Sequence, residues 1–270
     1  MNMTTHGCID FHTHAFPDQV AASAIPTLEK KGNVKAYLDG TVSGLLASMD
    51  RAGIEKSVIC SIATRPEQFR PILDWSAHIR SARIIPFPSV HPADPALADH
   101  IALVAAQGFA GIKLHPYYQE FFLDDPDMDP LYRAVADHGL LLVIHTGLDI
   151  GFPPDDRAAP QRILNLVRRF PSLRLVTTHL GGWNLWDEVR RNLTGLPIYM
   201  ELSFSLDFLD QIRLRDMIES HPPGYVLFGS DSPWADQSTT LKMLERLGLD
   251  EELYQGIIRE NALNLLQRGT

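Results

Sequence analysis

The chain opens on a histidine pair: Ile9-Asp10-Phe11-His12-Thr13-His14. Side chains alternate across a strand, so Asp10, His12 and His14 are expected on one face, with two imidazoles able to hold one ion. Alone, such a pair is common on protein surfaces. The pattern recurs, however. Apolar runs end in His145 (Leu141-Leu142-Val143-Ile144-His145), in His179 (Leu175-Val176-Thr177-Thr178-His179) and in Asp231 (Leu227-Phe228-Gly229-Ser230-Asp231). A polar residue closing one strand is ordinary, but four strands closing this way call for a common cause. Zinc and related ions favour mixed imidazole and carboxylate ligands with a position left for water. His12, His14, His145 and Asp231 supply such a set. The ion would lower the pKa of its water, Asp231 would take and pass on the proton, and His179 would orient the water or hold a second ion.

Elements that could gather these residues are legible in the periodicity. Apolar, β-branched runs predict strands at 8–14, 57–62, 83–90, 110–115, 140–146, 173–179, 197–203 and 225–230. Amphipathic stretches between them predict helices at 42–51, 67–81, 95–107, 129–138, 159–170, 183–192, 209–220 and 238–247, with 253–266 closing the chain. Gly53, Gly108 and Gly139 sit where helix C-caps favour glycine. Eight βα units predict a (β/α)8 TIM barrel over residues 1–270, with an insertion after strand one. A barrel brings the C-terminal ends of its strands to one mouth. An open doubly wound sheet is the structural alternative, and its G-x-G-x-x-G phosphate signature is absent after strand one.

Composition bounds the remaining classes. The 270 residues are 45% hydrophobic and 21% charged, ordinary values for a globular protein large enough to bury a core. A net charge of −9 disfavours nucleic acid as a partner. Two cysteines, Cys8 and Cys60, are too few for a disulfide framework and sit in apolar surroundings. Met1 to Gly7 carries no apolar signal core, and no run is long enough to span a membrane. A cytoplasmic enzyme acting on a small molecule is the expectation, possible as a homodimer.

The start Asp10-Phe11-His12-Thr13-His14, the strand-end His145 and His179, and Gly229-Ser230-Asp231-Ser232-Pro233 resemble the amidohydrolase superfamily. The ending Glu260-Asn261-Ala262-Leu263-Asn264-Leu265-Leu266 is similar to that of its amidohydrolase-related subfamily, which includes metal-dependent decarboxylases of aromatic acids. The resemblance implies one divalent ion, zinc favoured, on His12, His14, His145 and Asp231, with His179 beside its water. Two-metal members of the superfamily carry a carboxylated lysine on strand four, where this chain has Lys113.

Lys113 would therefore bridge two ions, contact substrate or water, or pair with Asp10 or Glu201. His115, two residues on, is expected to touch substrate. Arg65 after strand two would bind an anionic substrate group, unless it is a solvated loop residue. Glu201 reads as a buried partner for a cation. Trp234, with Trp183 and Trp186, would wall an apolar substrate or simply pack, and residues 15–40 would form a lid. The other histidines, His91-Pro92 at the end of strand three being the nearest to an exception, carry no assigned chemistry. Three activities follow: metal-dependent hydrolysis of a small amide, ester or lactone first, non-oxidative decarboxylation of an aromatic or unsaturated acid second, and a barrel that binds without turnover third. A pocket with Arg65 and Lys113 aimed at a carboxylate and aromatic walls would favour decarboxylation.

Overall fold

The computed structural model describes residues 7–267; residues 1–6, with most of the polar N-terminal stretch and His6, lie outside them, as do 268–270. The β-branched and aliphatic runs form β1 (Cys8–Thr13), β2 (Ile54–Cys60), β3 (Ile84–Phe87), β4 (Gly111–Leu114), β5 (Leu141–Ile144), β6 (Arg174–Thr177), β7 (Tyr199–Glu201) and β8 (Val226–Leu227). All pair in parallel and in sequence order, β1 to β3 in one sheet and β4 to β8 in another. Backbone hydrogen bonds join the two sheets at both edges. Lys113 N–H donates to the Pro88 carbonyl at 2.9 Å, and Phe11 N–H to that of Phe228 at 2.9 Å. Thr13 and Ser232 form a further parallel bridge. The eight-unit reading of the sequence is the observed architecture.

Helices follow the strands: α1 (Asp18–Gly32), α2 (Val42–Ala52), α3 (Phe69–Ile79), α4 (Leu97–Ala106), α5 (Asp129–Asp137), α6 (Pro160–Arg169), α7 (Trp186–Asn192), α8 (Ser205–Phe208), α9 (Gln211–Glu219), α10 (Gln237–Arg246), α11 (Glu251–Gln255) and α12 (Asn261–Gln267). Their starts are chemically marked. The Thr41 hydroxyl and the Asp210, Asp236 and Asp250 carboxylates accept amide hydrogens at the starts of α2, α9, α10 and α11, each cap worth about 1 kcal/mol. Gly53 ends α2 at φ +73, a left-handed conformation that glycine adopts without a Cβ penalty.

Three expectations change. The helix predicted from residue 67 starts at Phe69, because Pro66–Gln68 forms a 3₁₀ turn first. The helix predicted from 183 begins only at Trp186. The insertion holds a 15-residue helix, α1, that the sequence pattern did not yield, with Pro26 inside it. Interior proline removes a backbone donor, and that hid the helix from a pattern reading. Ile9, Phe11, Val58, Phe87, Val143 and Val176 make a buried cluster with Ala262 and Leu265 of α12, so the closing helix packs on the strands. Among the described residues no helix is long and apolar enough to cross a membrane.

Candidate metal and active site

Of Asp10, His12 and His14, expected on one face, two reach the site, His12 from β1 and His14 just beyond its end. The β1–β2 register shifts between Asp10 and Thr13, which breaks strict alternation. His12 and His14 line a cavity of about 440 Å³, whereas Asp10 does not. The Asp10 carboxylate instead accepts from Ser230 (N–H 3.0 Å, Oγ 2.6 Å) and from Gln237 Nε2 of α10 (2.8 Å). It ties β1 to the end of β8. Burial raises its pKa to about 7, against the pull of those hydrogen bonds.

The imidazoles are fixed from behind. His12 Nδ1 donates to Glu201 Oε1 at 3.0 Å, and His14 Nδ1 to the Cys60 carbonyl at 2.8 Å. With Nδ1 as the donor, each ring in its neutral form turns an Nε2 lone pair inward, the arrangement that metal-binding histidines use. Both reach the same atom: Asp231 Oδ1 lies 3.4 Å from His12 Nε2 and 3.0 Å from His14 Nε2. That oxygen is buried and has no hydrogen-bond partner. Two nitrogen lone pairs and a carboxylate oxygen converge within 4.8 Å. Such a set fits a divalent cation, which would neutralise the carboxylate and use the lone pairs. Burial would raise the Asp231 pKa, but the neighbouring imidazoles hold it below the usual carboxylate value.

His145 stands outside this triad. Its Nε2 donates to the Leu148 carbonyl at 3.0 Å, which leaves Nδ1 as a lone pair 3.1 Å from His179 Nε2. The expected four-ligand set is therefore three convergent residues plus His145 turned toward His179. His179 itself is held by several contacts. Its N–H donates to Glu201 Oε1 at 2.8 Å, its carbonyl accepts from Trp186 Nε1 at 3.0 Å, and Ser203 Oγ lies 2.8 Å from Nδ1. His179 and Asp231 take left-handed φ values of +57 and +63, costly for non-glycine residues and typical of functional positions. Glu201 is completely buried and serves both His12 and His179, so the expected buried partner is found, though its partners are imidazole and amide N–H groups. Gly229 makes room for it: a Cβ there would collide with the Glu201 carboxylate.

Lys113 is fully buried, with Nζ 3.2 Å from His12 Nε2, and burial lowers its pKa. Neither Asp10 nor Glu201 forms a salt bridge with it among the described residues. It lines the cavity, as do His115, Trp234 and Trp183. His115 Nε2 contacts Asp149 Oδ2 at 3.3 Å, and its ring stacks on His145 at 4.1 Å. Arg65 does not reach the cavity. It is exposed at the start of the 3₁₀ turn, where its N–H and that of Thr64 donate to Gln68 Oε1. Gln68 faces the cavity in its place. Trp186 packs and anchors His179. The segment expected as a lid contributes Phe16, Val20 and Leu28 to the cavity lining. Asp149, Trp75 and Tyr118 also line it and were not anticipated. Asp149 and Tyr118 sit beyond strand ends in segments that no period fixes, and Trp75 lies on α3, whose span the periodicity gives but not which of its residues meets the cavity. Cys8 and Cys60 are free and buried.

Comparison with known proteins bears on the fold and the family. No curated protein sequence matches the chain. Among solved structures, an uncharacterized TIM-barrel protein from Bordetella bronchiseptica superposes with TM-score 0.78 at 17% identity, covering 97% of this chain and 99% of that one. The 5-carboxyvanillate decarboxylase LigW from Sphingomonas paucimobilis gives 0.71 at 17%, covering 97% and 99%. The 2,6-dihydroxybenzoate decarboxylase from Rhizobium gives 0.72 at 18%, covering 98% and 100%. At such identities these likenesses speak for the fold. A 5-carboxyvanillate decarboxylase from Novosphingobium aromaticivorans, TM-score 0.72 at 15% identity over 98% and 100% of the two chains, was solved with manganese. The amidohydrolase family model matches residues 9–268, and the chain belongs to that family, as an enzyme of the amidohydrolase superfamily.

Proposed function

We propose that the protein is a divalent-metal-dependent, non-oxidative decarboxylase of aromatic or unsaturated carboxylic acids, the second of the activities expected from sequence. The observation that carries this reading is one buried cation, Lys113, in a cavity walled by Trp75, Trp183 and Trp234. Structural relatives that act on hydroxylated aromatic acids support it further. Of the two cationic groups looked for, only Lys113 is in place.

His12, His14 and Asp231, with His145 close by, would hold a divalent ion, which would supply Lewis acidity. The relatives make manganese as reasonable an occupant as zinc. The chain's own residues do the rest. The Lys113 ammonium receives the carboxylate, and the indole walls hold the planar body of the acid and exclude water. A carboxylate stripped of water gains on losing carbon dioxide, because the transition state spreads its charge. The C–C bond breaks, its electron pair stays on the ring carbon, carbon dioxide leaves, and a proton drawn from solvent and relayed by the Asp231 carboxylate takes the vacated position. His179, fixed by Ser203 and Glu201, orients the donor. The buried, unpartnered Asp231 Oδ1 would equally serve a hydrolase as proton acceptor.

The test is a panel of aromatic acids, esters, lactones and amides given to metal-loaded and chelated protein. Carbon dioxide released in equal amount to the acid consumed, lost with chelator and in Asp231→Asn, is the expected result. Chelator-sensitive ester, lactone or amide cleavage with no carbon dioxide from any acid would replace this reading by hydrolysis. The absence of any metal-dependent turnover across the panel would leave the binding barrel.

A further inference from the structure

His115, His145 and Asp149 form a second polar group at the cavity, apart from the His12, His14 and Asp231 triad. Its donor atoms are close enough for an ion, but its ring geometry argues otherwise. His115 and His145 stack at 4.1 Å with 9° between planes. Imidazole lone pairs lie in the ring plane, so stacked rings aim them along parallel lines and not at one ion. Hydrogen bonding is the chemistry left to this group.

Asp149 is held ready for it. Its Oδ1 accepts the Gly151 N–H at 2.7 Å, and its Oδ2 faces His115 Nε2 at 3.3 Å. His115 Nε2 can donate to that oxygen. Asp149 is thus an anion without a paired cation at the cavity. Lys31, whose charge interacts with Asp149 across space without an ion pair, lies over the rings of Phe152 (3.6 Å) and Tyr118 (4.3 Å). No arginine is among the cavity-lining residues. The depths also differ: the Lys113 side chain is wholly buried, whereas Asp149 retains 12% exposure beside Ile150, which is 43% exposed near the mouth.

Resting on the decarboxylase reading, we propose that the cavity selects acids with a single carboxyl group whose outer end carries a hydroxyl or amino hydrogen-bond donor received by Asp149, and that it excludes dicarboxylates. A second carboxylate would meet an anion in a poorly hydrated wall, where Asp149 has no salt bridge to a lysine or arginine among the described residues. A ring lacking the donor would cover Asp149 and leave its remaining acceptor sites, beyond those met by Gly151 and His115, without water or a partner. The pocket would therefore differ in specificity from one built for a ring with two carboxyl groups.

Binding can be read without turnover, because Trp75, Trp183 and Trp234 line the cavity. Quenching of tryptophan fluorescence in the metal-loaded protein would be measured with benzoates bearing a ring hydroxyl, a ring amine, a methyl in its place, or a second carboxyl. The hydroxyl or amino acid is expected to bind roughly ten- to a hundredfold more tightly than the methyl and dicarboxylate analogues. Asp149→Asn should reduce the preference over the dicarboxylate to a few-fold. A dicarboxylate that binds wild-type protein as tightly as the hydroxy acid would overturn the proposal, as would unchanged discrimination in a folded Asp149→Asn. Discrimination in binding with no carbon dioxide released would sink the decarboxylase reading and leave the role of Asp149 standing.

Discussion

Lys113 Nζ lies 3.2 Å from His12 Nε2, with both side chains buried. The same nitrogen faces Asp231, so an ammonium and a divalent ion compete for one lone pair. Like charge beside a metal ligand weakens metal binding. Lys113→Met should therefore hold metal at least as tightly as the wild type. It should lose turnover of an acid substrate by a factor on the order of a hundred, since the carboxylate loses its buried partner. Metal content by elemental analysis and steady-state rates check this together. Loss of metal in Lys113→Met would instead make the lysine part of the metal site, as a carboxylated bridge requires.

His12→Ala combined with His14→Ala removes two of three convergent ligands while leaving the β1 backbone in place. The expected result is a folded protein without bound metal and without turnover. Circular dichroism would report the fold and elemental analysis the metal. Undiminished metal content would refute the ligand assignment.

The strand-end residues were legible because an apolar run ending in His or Asp survives in sequence whatever the loops do. His12, His14, His179 and Asp231 all meet at the cavity for that reason. Other parts were hidden for identifiable causes. Asp10 departs from its neighbours because the β1–β2 register shifts, and alternation assumes a regular strand. Arg65 turns away because Pro66 starts a 3₁₀ turn at the next residue. Asp149 lies beyond β5 in a loop, where no period fixes the direction of a side chain. The orientation of His145 depends on the Leu148 carbonyl, a backbone contact that residue types do not reveal.

Gly229 offers a test of the support behind His12. A Cβ at this position would strike the Glu201 carboxylate, with His12 Cβ also in contact. Gly229→Ala must displace Glu201, and with it the hydrogen bond that orients His12 Nδ1. Partners of this kind typically contribute ten- to a hundredfold to metal affinity. Competition with a chromogenic chelator should show a weakening of about that size. Wild-type affinity in the variant would mean that Glu201 does not hold His12 in its ligand orientation.

His221 sets a pH dependence remote from the metal. It is buried behind β7, with Nε2 donating to the Ile198 carbonyl at 2.8 Å, and burial lowers its pKa from the ordinary 6.5. The folded state therefore favours the neutral ring, while the unfolded chain protonates near the ordinary value. The unfolded state binds more protons as pH falls, so stability rises with pH in this window. The His221 contribution is complete above pH 6.5 and declines as pH drops toward the folded pKa. Each tenfold difference in proton affinity between the two states is worth about 1.4 kcal/mol. Urea unfolding from pH 7.5 to 5, in chelated protein so that metal release adds nothing, should show wild type losing stability faster than His221→Gln. Parallel curves for the two proteins would remove His221 as a source of the acid sensitivity.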